Sequence, residues 1–283
     1  MIYALVKLEF FSPYTSVPFL AEHGRGNVAP PPSTLLGALA AAYFYPNETD
    51  AFEEVVKKVR YVSFWVPPYA TADNISRHFS VFSQRPQRLK VISAAMEVLK
   101  TKKLSENVIK DFRNYGGLQK PEALLSTALS PIGVAGAVLQ VLHQPASRLE
   151  VYYYGPAYVL YVLDDEELAE RVGYIFRVGP KEGLVSATRL RIDGVKRHRG
   201  DVRTRFYLPA RALPGGCGEN FLVNYMAWRP GGDPFNGLVE PFCLPRPFDE
   251  YMELAVLADG WVPVKIMTED GELQVVVPEH AAP

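Results

Sequence analysis

The sequence predicts an α+β fold, in which a split βαβ core precedes a β-rich C-terminal part. Three observations predict it. Residues 1–66 show a strand, a helix and a second strand, and the same order recurs over 148–192. Residues 193–283 contain short strand-like segments separated by Pro and Gly. The order is that of a ferredoxin-like, or RRM-like, domain, which we expect at 1–192, followed by a β-rich C-terminal domain at 193–283.

The first half of the core begins with a strand in which apolar and charged residues alternate. The predicted elements of this half are strand 2–11, helix 33–45, helix 50–58 and strand 59–66. Three prolines precede Ser33, which is a candidate N-cap of the first helix. Gly37 and the alanines around it would make this helix thin enough to lie close to a sheet.

Residues 69–147 interrupt this pattern and are predicted to be an insertion into the core. Its predicted helical segments lie near 91–101, 105–113 and 121–129. The segment 77–90 has four cations and no acid, with Phe79 and Phe82 between them. These cations are Arg77, Arg85, Arg88 and Lys90. Because helical insertions with exposed apolar faces usually bind something, we expect this one to project and to contact RNA or a neighbouring subunit.

The second half of the core is predicted to contain three strands and one helix. The strands are Leu149–Tyr154, Tyr158–Leu163 and Tyr174–Val178. Four consecutive acids, residues 164–167, precede the helix. Consecutive side chains on a helix point in different directions, so these acids are expected to complement the helix dipole rather than to bind a metal.

A glycine turn, Gly179-Pro180-Lys181-Glu182-Gly183, joins two apolar segments and leads into a cationic run. Its glycines allow the main chain to wrap tightly, and its amides can face an anion. Seven Lys or Arg residues lie within 189–205, opposed only by Asp193 and Asp201. The predicted phosphate-binding surface comprises Lys181, Arg189, Arg191, Lys196, Arg197 and Arg199, beside the amides of Gly179. Two interpretations remain open: a phosphodiester backbone as partner, or a hairpin with a solvated cationic face.

Composition limits the class of protein. The 283 residues carry a net charge of −1, so any contact with nucleic acid must come from a local patch. We expect a soluble intracellular protein, because the sequence has neither a signal-peptide pattern nor an apolar segment of membrane-spanning length. Twenty-four prolines and few Met or Cys would suit a thermophile.

Two further expectations concern the C-terminal half. The only two cysteines, Cys217 and Cys243, are too few for a structural zinc site. They are interpreted as isolated thiols, with a disulfide as the alternative in a hyperthermophile. The segment Pro241-Phe242-Cys243-Leu244-Pro245-Arg246-Pro247 is expected to lie on the surface, outside any sheet. No metal or cofactor is predicted.

Four stretches in order give the chain a resemblance to a known family. It resembles the Cas-five proteins of type I CRISPR systems, in particular the archaeal type I-A branch, over about the first 190 residues. The stretches are strand Ile2–Phe11, Pro30-Pro31-Pro32-Ser33-Thr34-Leu35-Leu36-Gly37-Ala38-Leu39, Tyr154-Gly155-Pro156-Ala157-Tyr158 and Arg177-Val178-Gly179-Pro180-Lys181-Glu182-Gly183-Leu184-Val185. In the last stretch Pro180 and Gly183 depart from the family pattern, whereas Lys181 and Glu182 keep it.

The resemblance implies a RAMP protein with a ferredoxin-like domain that serves antiviral defence. It implies a partner, the 5′ handle of the crRNA, and a place at one end of the Cascade complex, against the large subunit and the terminal backbone subunit. The insertion 69–147 is then placed as the thumb that reaches over guide RNA. The predicted RNA-binding set comprises the loop residues His23 and Arg25, the cations of 77–90 and the phosphate-binding surface described above.

Three functions compete at this point. The first is non-catalytic RNA binding within a complex, which also uses the many Tyr and Phe residues that can stack on bases. The second is a metal-independent ribonuclease, for which His23, His78, His198 and Lys181 are available although no spacing fixes an acid–base pair. The third is a protein scaffold with solvated cations. No Walker, G-x-S-x-G or HExxH motif is present, and we expect no enzyme activity.

Overall fold

The computed structural model describes most of the chain. The described residues are 1–16, 27–43, 51–68, 70–80, 86–101, 103, 105–116, 143–179, 183–228, 239–246 and 251–283. The chain divides into two compact units, one formed by Met1–Ile75 with Arg148–Pro283 and the other by Ser76–Ser147. The domain boundary predicted after residue 192 stays a prediction.

The α-helices of the described chain all lie before residue 172, whereas its strands occur throughout. The helices are α1 (Pro32–Tyr43), α2 (Ala51–Lys58), α3 (Pro86–Thr101), α4 (Glu106–Gly116) and α5 (Glu166–Arg171). The strands are β1 (Ile2–Phe10), β2 (Tyr14–Ser16), β3 (Val59–Trp65), β4 (Ala70–Ser80), β5 (His143–Tyr153), β6 (Ala157–Leu163), β7 (Val185–Leu190), β8 (Ile192–Arg197), β9 (Val202–Thr204), β10 (Leu208–Pro209), β11 (Leu222–Ala227), β12 (Val239–Leu244), β13 (Met252–Leu254), β14 (Trp261–Thr268) and β15 (Gly271–Pro278).

A four-stranded antiparallel sheet is the centre of the first unit. Its order is β3-β6-β1-β7, with β1 between β6 and β7. Helices α1 and α2 connect β1 to β3, and α5 connects β6 to β7. Numbered along the chain, the four strands stand in the order 2-3-1-4, which is the sheet order of a split βαβ, ferredoxin-like arrangement. The fold is therefore α+β, as the sequence predicts.

The fourth strand of this sheet is β7, and the prediction of Tyr174–Val178 as that strand was wrong. Val172–Tyr174 forms a 3₁₀ helix, and only an isolated bridge between Arg177 and Leu184 follows it. The apolar alternation of 174–178 is real, but β1 pairs with the next segment, from Leu190 back to Val185. Local pattern does not reveal which of two neighbouring apolar segments pairs with a distant strand.

Helices cover one face of the sheet. Val6 and Leu8 of β1 are buried against Leu35 and Leu39 of α1 and Leu168 of α5. Helix α1 begins at Pro32, and the amide of Thr34 donates to the carbonyl oxygen of Pro31 at 2.9 Å. Ser33 therefore lies inside the helix, so its assignment as the N-cap was wrong; proline is well suited to the first helical position.

The two structural roles proposed for Gly37 and for the acids before α5 have different outcomes. A methyl group added to Gly37 would meet nothing within 4 Å, so close packing of α1 does not require a glycine there. Asp165 is the N-cap of α5, since its side chain accepts a hydrogen bond from the amide of Leu168 at 2.8 Å. The capping interpretation of these acids is confirmed.

A second sheet covers the other face. Strands β15, β14 and β8 form a three-stranded antiparallel sheet. Its residues Val264 and Val275 belong to one buried cluster with Leu5, Leu160 and Leu190 of the central sheet. The centre of the ferredoxin-like sheet is thus buried on both faces, and only its margins remain accessible.

The remaining C-terminal strands bring the two cysteines together. Strands β10, β12 and β11 form a sheet, and β9 pairs with β13. Cys243 of β12 is joined to Cys217 by a disulfide, so the interpretation as isolated thiols was wrong. Pro241 also lies inside a strand, contrary to expectation. Because β10 pairs only with Cys243 and Phe242, β12 has a single neighbour at Pro241, where a proline is tolerated.

The second unit contains α3 and α4, which pack on each other. Ala94, Ala95 and Val98 of α3 and Val108 of α4 are buried. The hydroxyl of Ser105 accepts a hydrogen bond from the amide of Val108 at 3.3 Å at the start of α4. The predicted helix at 121–129 lies outside the described residues. None of the described helices is both long and apolar enough to span a membrane.

Candidate nucleic-acid interface

The glycine turn is closed by main-chain hydrogen bonding. The amide of Val178 donates to the carbonyl oxygen of Gly183 at 2.8 Å. Gly179 has a φ of +87°, and a methyl group on it would lie 3.2 Å from Cε2 of Tyr14. Conformation and space both require glycine at this position. Residues 180–182, with the predicted contact Lys181, lie outside the described residues.

The chain before the turn runs along the outer edge of β7. The amide of Val185 donates to the carbonyl oxygen of Phe176 at 3.0 Å. Further along the strand, a methyl group added to Gly173 would lie 3.6 Å from Cβ of Arg189. Because β7 is an edge strand of the sheet, residues 173–178 form the rim of the domain on this side.

Arginines gather at the far end of β7. Tyr3, Arg189, Leu190, Arg191 and Ile192 line a polar depression of about 450 Å³. Burial raises the pKa of Tyr3 to about 12, and the positive charge of Arg197 opposes that shift. Arg189, Arg191 and Arg197 are called the arginine cluster below.

The arginine cluster is only weakly neutralised. The guanidinium of Arg191, whose side chain is 82% exposed, lies 2.9 Å from a carboxylate oxygen of Asp193. Arg197 lies 3.5 Å from Glu279 and donates to the carbonyl oxygen of Pro283 at 3.1 Å. Exposed ion pairs of this kind contribute little and yield to competing anions. The depression can therefore accept a phosphate group.

The structure does not place all the predicted cations on one surface. Strand β7 ends at Leu190, so Arg189 and Arg191 do not share a strand face, although they share the depression. Lys196 lies opposite Lys265 on β14, on the other face of β8 from Arg197. Arg199 is exposed beyond the end of β8. The roles of these residues in RNA binding stay predictions.

The other predicted RNA contacts either belong to the second unit or lie outside the described residues. Arg77 lies in β4, and Arg88 and Lys90 lie in α3, within the second unit. The remaining three, His23, Arg25 and Arg85, lie outside the described residues. The structure therefore brings Arg189 and Arg191 together at one depression, and β7 separates this depression from the glycine turn.

Two aromatic residues of the rim, which were not among the predicted site residues, line a cavity. Tyr174 is 66% exposed and Phe176 is 41% exposed, and with Ala41, Ala42 and Arg171 they line a cavity of about 380 Å³. The sequence pattern had placed both in a sheet strand. The signal in the sequence was the two rings at alternate positions, flanked by Arg171 and Arg177, just before a glycine turn.

Catalytic groups are not assembled in the described part of the chain. His198 Nε2 lies 3.0 Å from the carbonyl oxygen of Asp201, which accepts its hydrogen bond. Among the described residues, no group of three or more His, Cys, Asp or Glu could hold a metal ion. The side chain of His78 and all of His23 and Lys181 fall outside what the structure describes, so the ribonuclease hypothesis is untested.

No family model and no curated protein sequence matches this chain. Among solved structures, a crystal structure of a CRISPR protein from Archaeoglobus fulgidus is similar over 98% of this chain and 99% of that chain, at 15% identity and a TM-score of 0.47.

Chains from two structures of the type III-B Cmr-beta complex are also similar. One complex is bound to cognate target RNA and AMPPnP, with 10% identity, 86% of this chain and 84% of that chain covered, and a TM-score of 0.33. The other is bound to cognate target RNA, with 12% identity, coverage of 86% and 85%, and a TM-score of 0.32. At TM-scores below 0.5, such likenesses establish neither a shared fold nor a shared function.

Proposed function

We propose that this protein is a non-catalytic, RNA-binding subunit of a CRISPR effector complex and that it holds the 5′ handle of the crRNA. The observation that carries the proposal is the arrangement along β7. The arginine cluster lies at one end of this strand, and the glycine turn lies at the other. The sequence resemblance to the Cas-five family supports the same partner.

A strand of RNA fits this arrangement in its dimensions and its charge. The separation from Gly183 to Arg191 corresponds to about 26 Å of extended chain, at roughly 3.3 Å per residue. Proteins bind single-stranded nucleic acid along cationic paths that follow its backbone. Since the whole chain carries a net charge of −1, only such a local path can attract a polyanion.

The covered sheet explains why the rim is the binding route. RRM domains stack bases on the open face of their four-stranded sheet. Here Leu5, Leu160 and Leu190 occupy the centre of that face, and they are buried by the second sheet. An RNA must therefore follow the edge strand β7 instead of crossing the face.

The finer assignment concerns the complex. We place the protein at one end of a type I-A Cascade complex in the cytoplasm of a thermophilic archaeon. Its protein partners there are the large subunit and the terminal backbone subunit, and its insertion 69–147 is the thumb over the guide RNA. This assignment rests on the sequence resemblance. Coexpression with candidate subunits, followed by size-exclusion chromatography, tests it directly.

Sequencing of the RNA that copurifies with the protein from its source cells tests the central proposal. We expect RNAs that share one common segment at their 5′ ends. Binding of such an RNA by the purified protein should weaken with salt, by about 0.7 log units per neutralised phosphate per decade of salt for a single strand. Random RNA fragments, or an affinity that salt leaves unchanged, would instead favour a protein scaffold.

The non-catalytic part of the proposal has its own test. Purified protein is incubated with repeat RNA in EDTA, which removes metal-dependent contaminants. We expect intact RNA. Cleavage that disappears on substitution of His23, His78 or Lys181 would identify the protein as a metal-independent ribonuclease.

A further inference from the structure

We propose that Tyr174 and Phe176 form a stacking site for unpaired nucleobases of the bound RNA, an inference that rests on the proposed RNA-binding function. Large aromatic side chains are usually buried, because their burial stabilises the fold. Here the Tyr174 ring is two-thirds exposed and the Phe176 ring is two-fifths exposed. Two exposed rings at alternate positions of one rim segment, beside a cavity, form a surface on which a planar group can lie.

The position of the two rings suits contact with a bound RNA. Gly173 lies beside Arg189 at the cationic end of β7, and Phe176 is hydrogen bonded to Val185 near the glycine turn. Tyr174 and Phe176 therefore lie between the arginine cluster and the glycine turn. An RNA backbone held at these two ends passes over both rings, and its bases are then within reach of them.

Cations accompany each ring. The guanidinium carbon of Arg171 lies 5.7 Å from the centre of the Tyr174 ring, and that of Arg177 lies 6.0 Å from the centre of the Phe176 ring. Arg171 also lies 3.7 Å from Glu167, in an exposed pair that contributes little. Aromatic faces with arginine planes beside them form the stacking platform that single-stranded RNA-binding proteins use.

The cavity beside the rings fits a small planar group. It is lined on one side by Ala41 and Ala42 of α1, and its volume of about 380 Å³ lies at the lower end of the range of small-molecule sites, roughly 300–1,000 Å³. An apolar side chain of a protein partner is the competing occupant. The arginines at one end of β7 favour the nucleobase, because they flank the rim that carries the rings with a charge that suits a phosphate backbone.

The test uses a fluorescein-labelled single-stranded RNA of about twelve nucleotides, a length within the site sizes of single-strand binders. Tyr174→Ala and Phe176→Ala should each weaken binding roughly tenfold, because each removes the ring on which one base stacks. Tyr174→Phe should retain the wild-type affinity, since it keeps the ring. Tyr225→Ala is the matched control: this tyrosine is 61% exposed on β11, away from β7, and its removal should change nothing.

The dependence on salt distinguishes this inference from the proposed function. Stacking involves no released counterion, so the aromatic variants should lower affinity at every salt concentration without changing the slope. A 2-aminopurine base in the RNA should be quenched by the wild-type protein and should regain its emission with the doubly substituted Tyr174→Ala/Phe176→Ala variant.

Three outcomes decide the matter. Weaker binding with an unchanged slope and restored 2-aminopurine emission supports the stacking site. Salt-dependent RNA binding that both alanine variants retain overturns the stacking site and leaves the proposed function intact; capture of a protein subunit that these variants abolish then assigns the cavity to that subunit. No RNA binding by the wild-type protein overturns the stacking site together with the proposed function.

Discussion

Lys196 and Arg197 are neighbours in sequence and lie on opposite faces of strand β8. Arg197 stands across from the buried Val264 of β14, whereas Lys196 stands across from Lys265, whose amine lies 2.7 Å from Glu272. Arg197 thus belongs to the side of the strand that meets the central sheet, near Tyr3. A cationic run that is continuous in sequence is divided between two surfaces.

The arginine cluster should determine how RNA affinity depends on salt. Arg189→Ala/Arg191→Ala and Arg197→Ala should each weaken the binding of single-stranded RNA and reduce the salt slope by about 0.7 for each phosphate that is no longer neutralised. Fluorescence anisotropy at several salt concentrations measures both quantities. The charge-matched control is Arg211→Ala, at an arginine paired with Glu240 at 3.2 Å and remote in sequence. An identical slope in the cluster variants and in this control would exclude the cluster as the RNA site.

The glycine turn should be sensitive to a single methyl group. Gly179→Ala should lower the free energy of unfolding by about 1–2 kcal/mol, because alanine is strained at positive φ, and the clash with Tyr14 adds to this cost. Chemical denaturation measures the change. At Gly194 a methyl group would meet nothing within 4 Å and the glycine is not among those with positive φ, so Gly194→Ala should be neutral or stabilising. Equal effects of the two substitutions would contradict the turn geometry.

The disulfide should contribute substantially to stability. Closing a chain segment with a sequence separation of 26 residues constrains the unfolded state by about 3.5 kcal/mol in the chain-entropy account. Cys217→Ala should lose most of this stabilisation relative to the oxidised wild type, and a reducing agent should abolish the difference between them. A thiol assay of the unfolded, unreduced protein provides the control. Two free thiols in that assay would show that the bond does not form.

Asp165 should give the protein an acid-sensitive contribution to stability. The amide of Leu168 and the amine of Lys58 hold the pKa of its carboxyl below the ordinary value of 3.8. The pKa of this carboxyl is lower in the folded state than in the unfolded state. The contribution is therefore complete above the ordinary, unfolded-state pKa and is lost as the pH falls through the folded-state pKa.

Two substitutions at Asp165 separate its roles. Asp165→Ala removes both the cap and the charge and should cost about 1 kcal/mol at neutral pH. Asp165→Asn keeps a good cap and removes only the charge that lies 3.0 Å from Lys58 Nζ, so it should cost less. Unfolding curves at neutral pH and at a pH below the lowered, folded-state pKa measure both. A difference between wild type and Asp165→Asn that persisted at the lower pH would rule out the carboxylate as its source.

The sequence predicted the parts of the fold that local patterns determine. Alternating residues identified β1, and consecutive acids identified the start of α5, because both signals lie within one turn or strand. Pairing between distant segments was not predictable. The place of β7 depends on its partner β1, and the bond from Cys217 to Cys243 depends on the position of β12 beside β10.

In the candidate site too, only the features that a local sequence pattern determines could be predicted. The glycine turn was evident from residue types that favour tight main-chain conformations. The depression at Arg189 and Arg191 also includes Tyr3, which is far from both of them in the sequence. No local sequence pattern connects residues that are so distant along the chain. The two rings at Tyr174 and Phe176 were assigned to a strand of the sheet, since aromatic residues are enriched in strands.

The double covering of the central sheet has a practical consequence for mutagenesis. Residues that pack between the central sheet and its two covering layers, such as Leu39 of α1 and Ile266 of β14, hold the domain together. Exposed residues of the rim, such as Tyr174 and Phe176, can change without loss of the scaffold, unlike the buried Ile175 and Val178 of the same segment. Folding and ligand choice are therefore separable in this protein. The exposed residues of the rim are the natural place to randomise when the proposed RNA binding is to be altered.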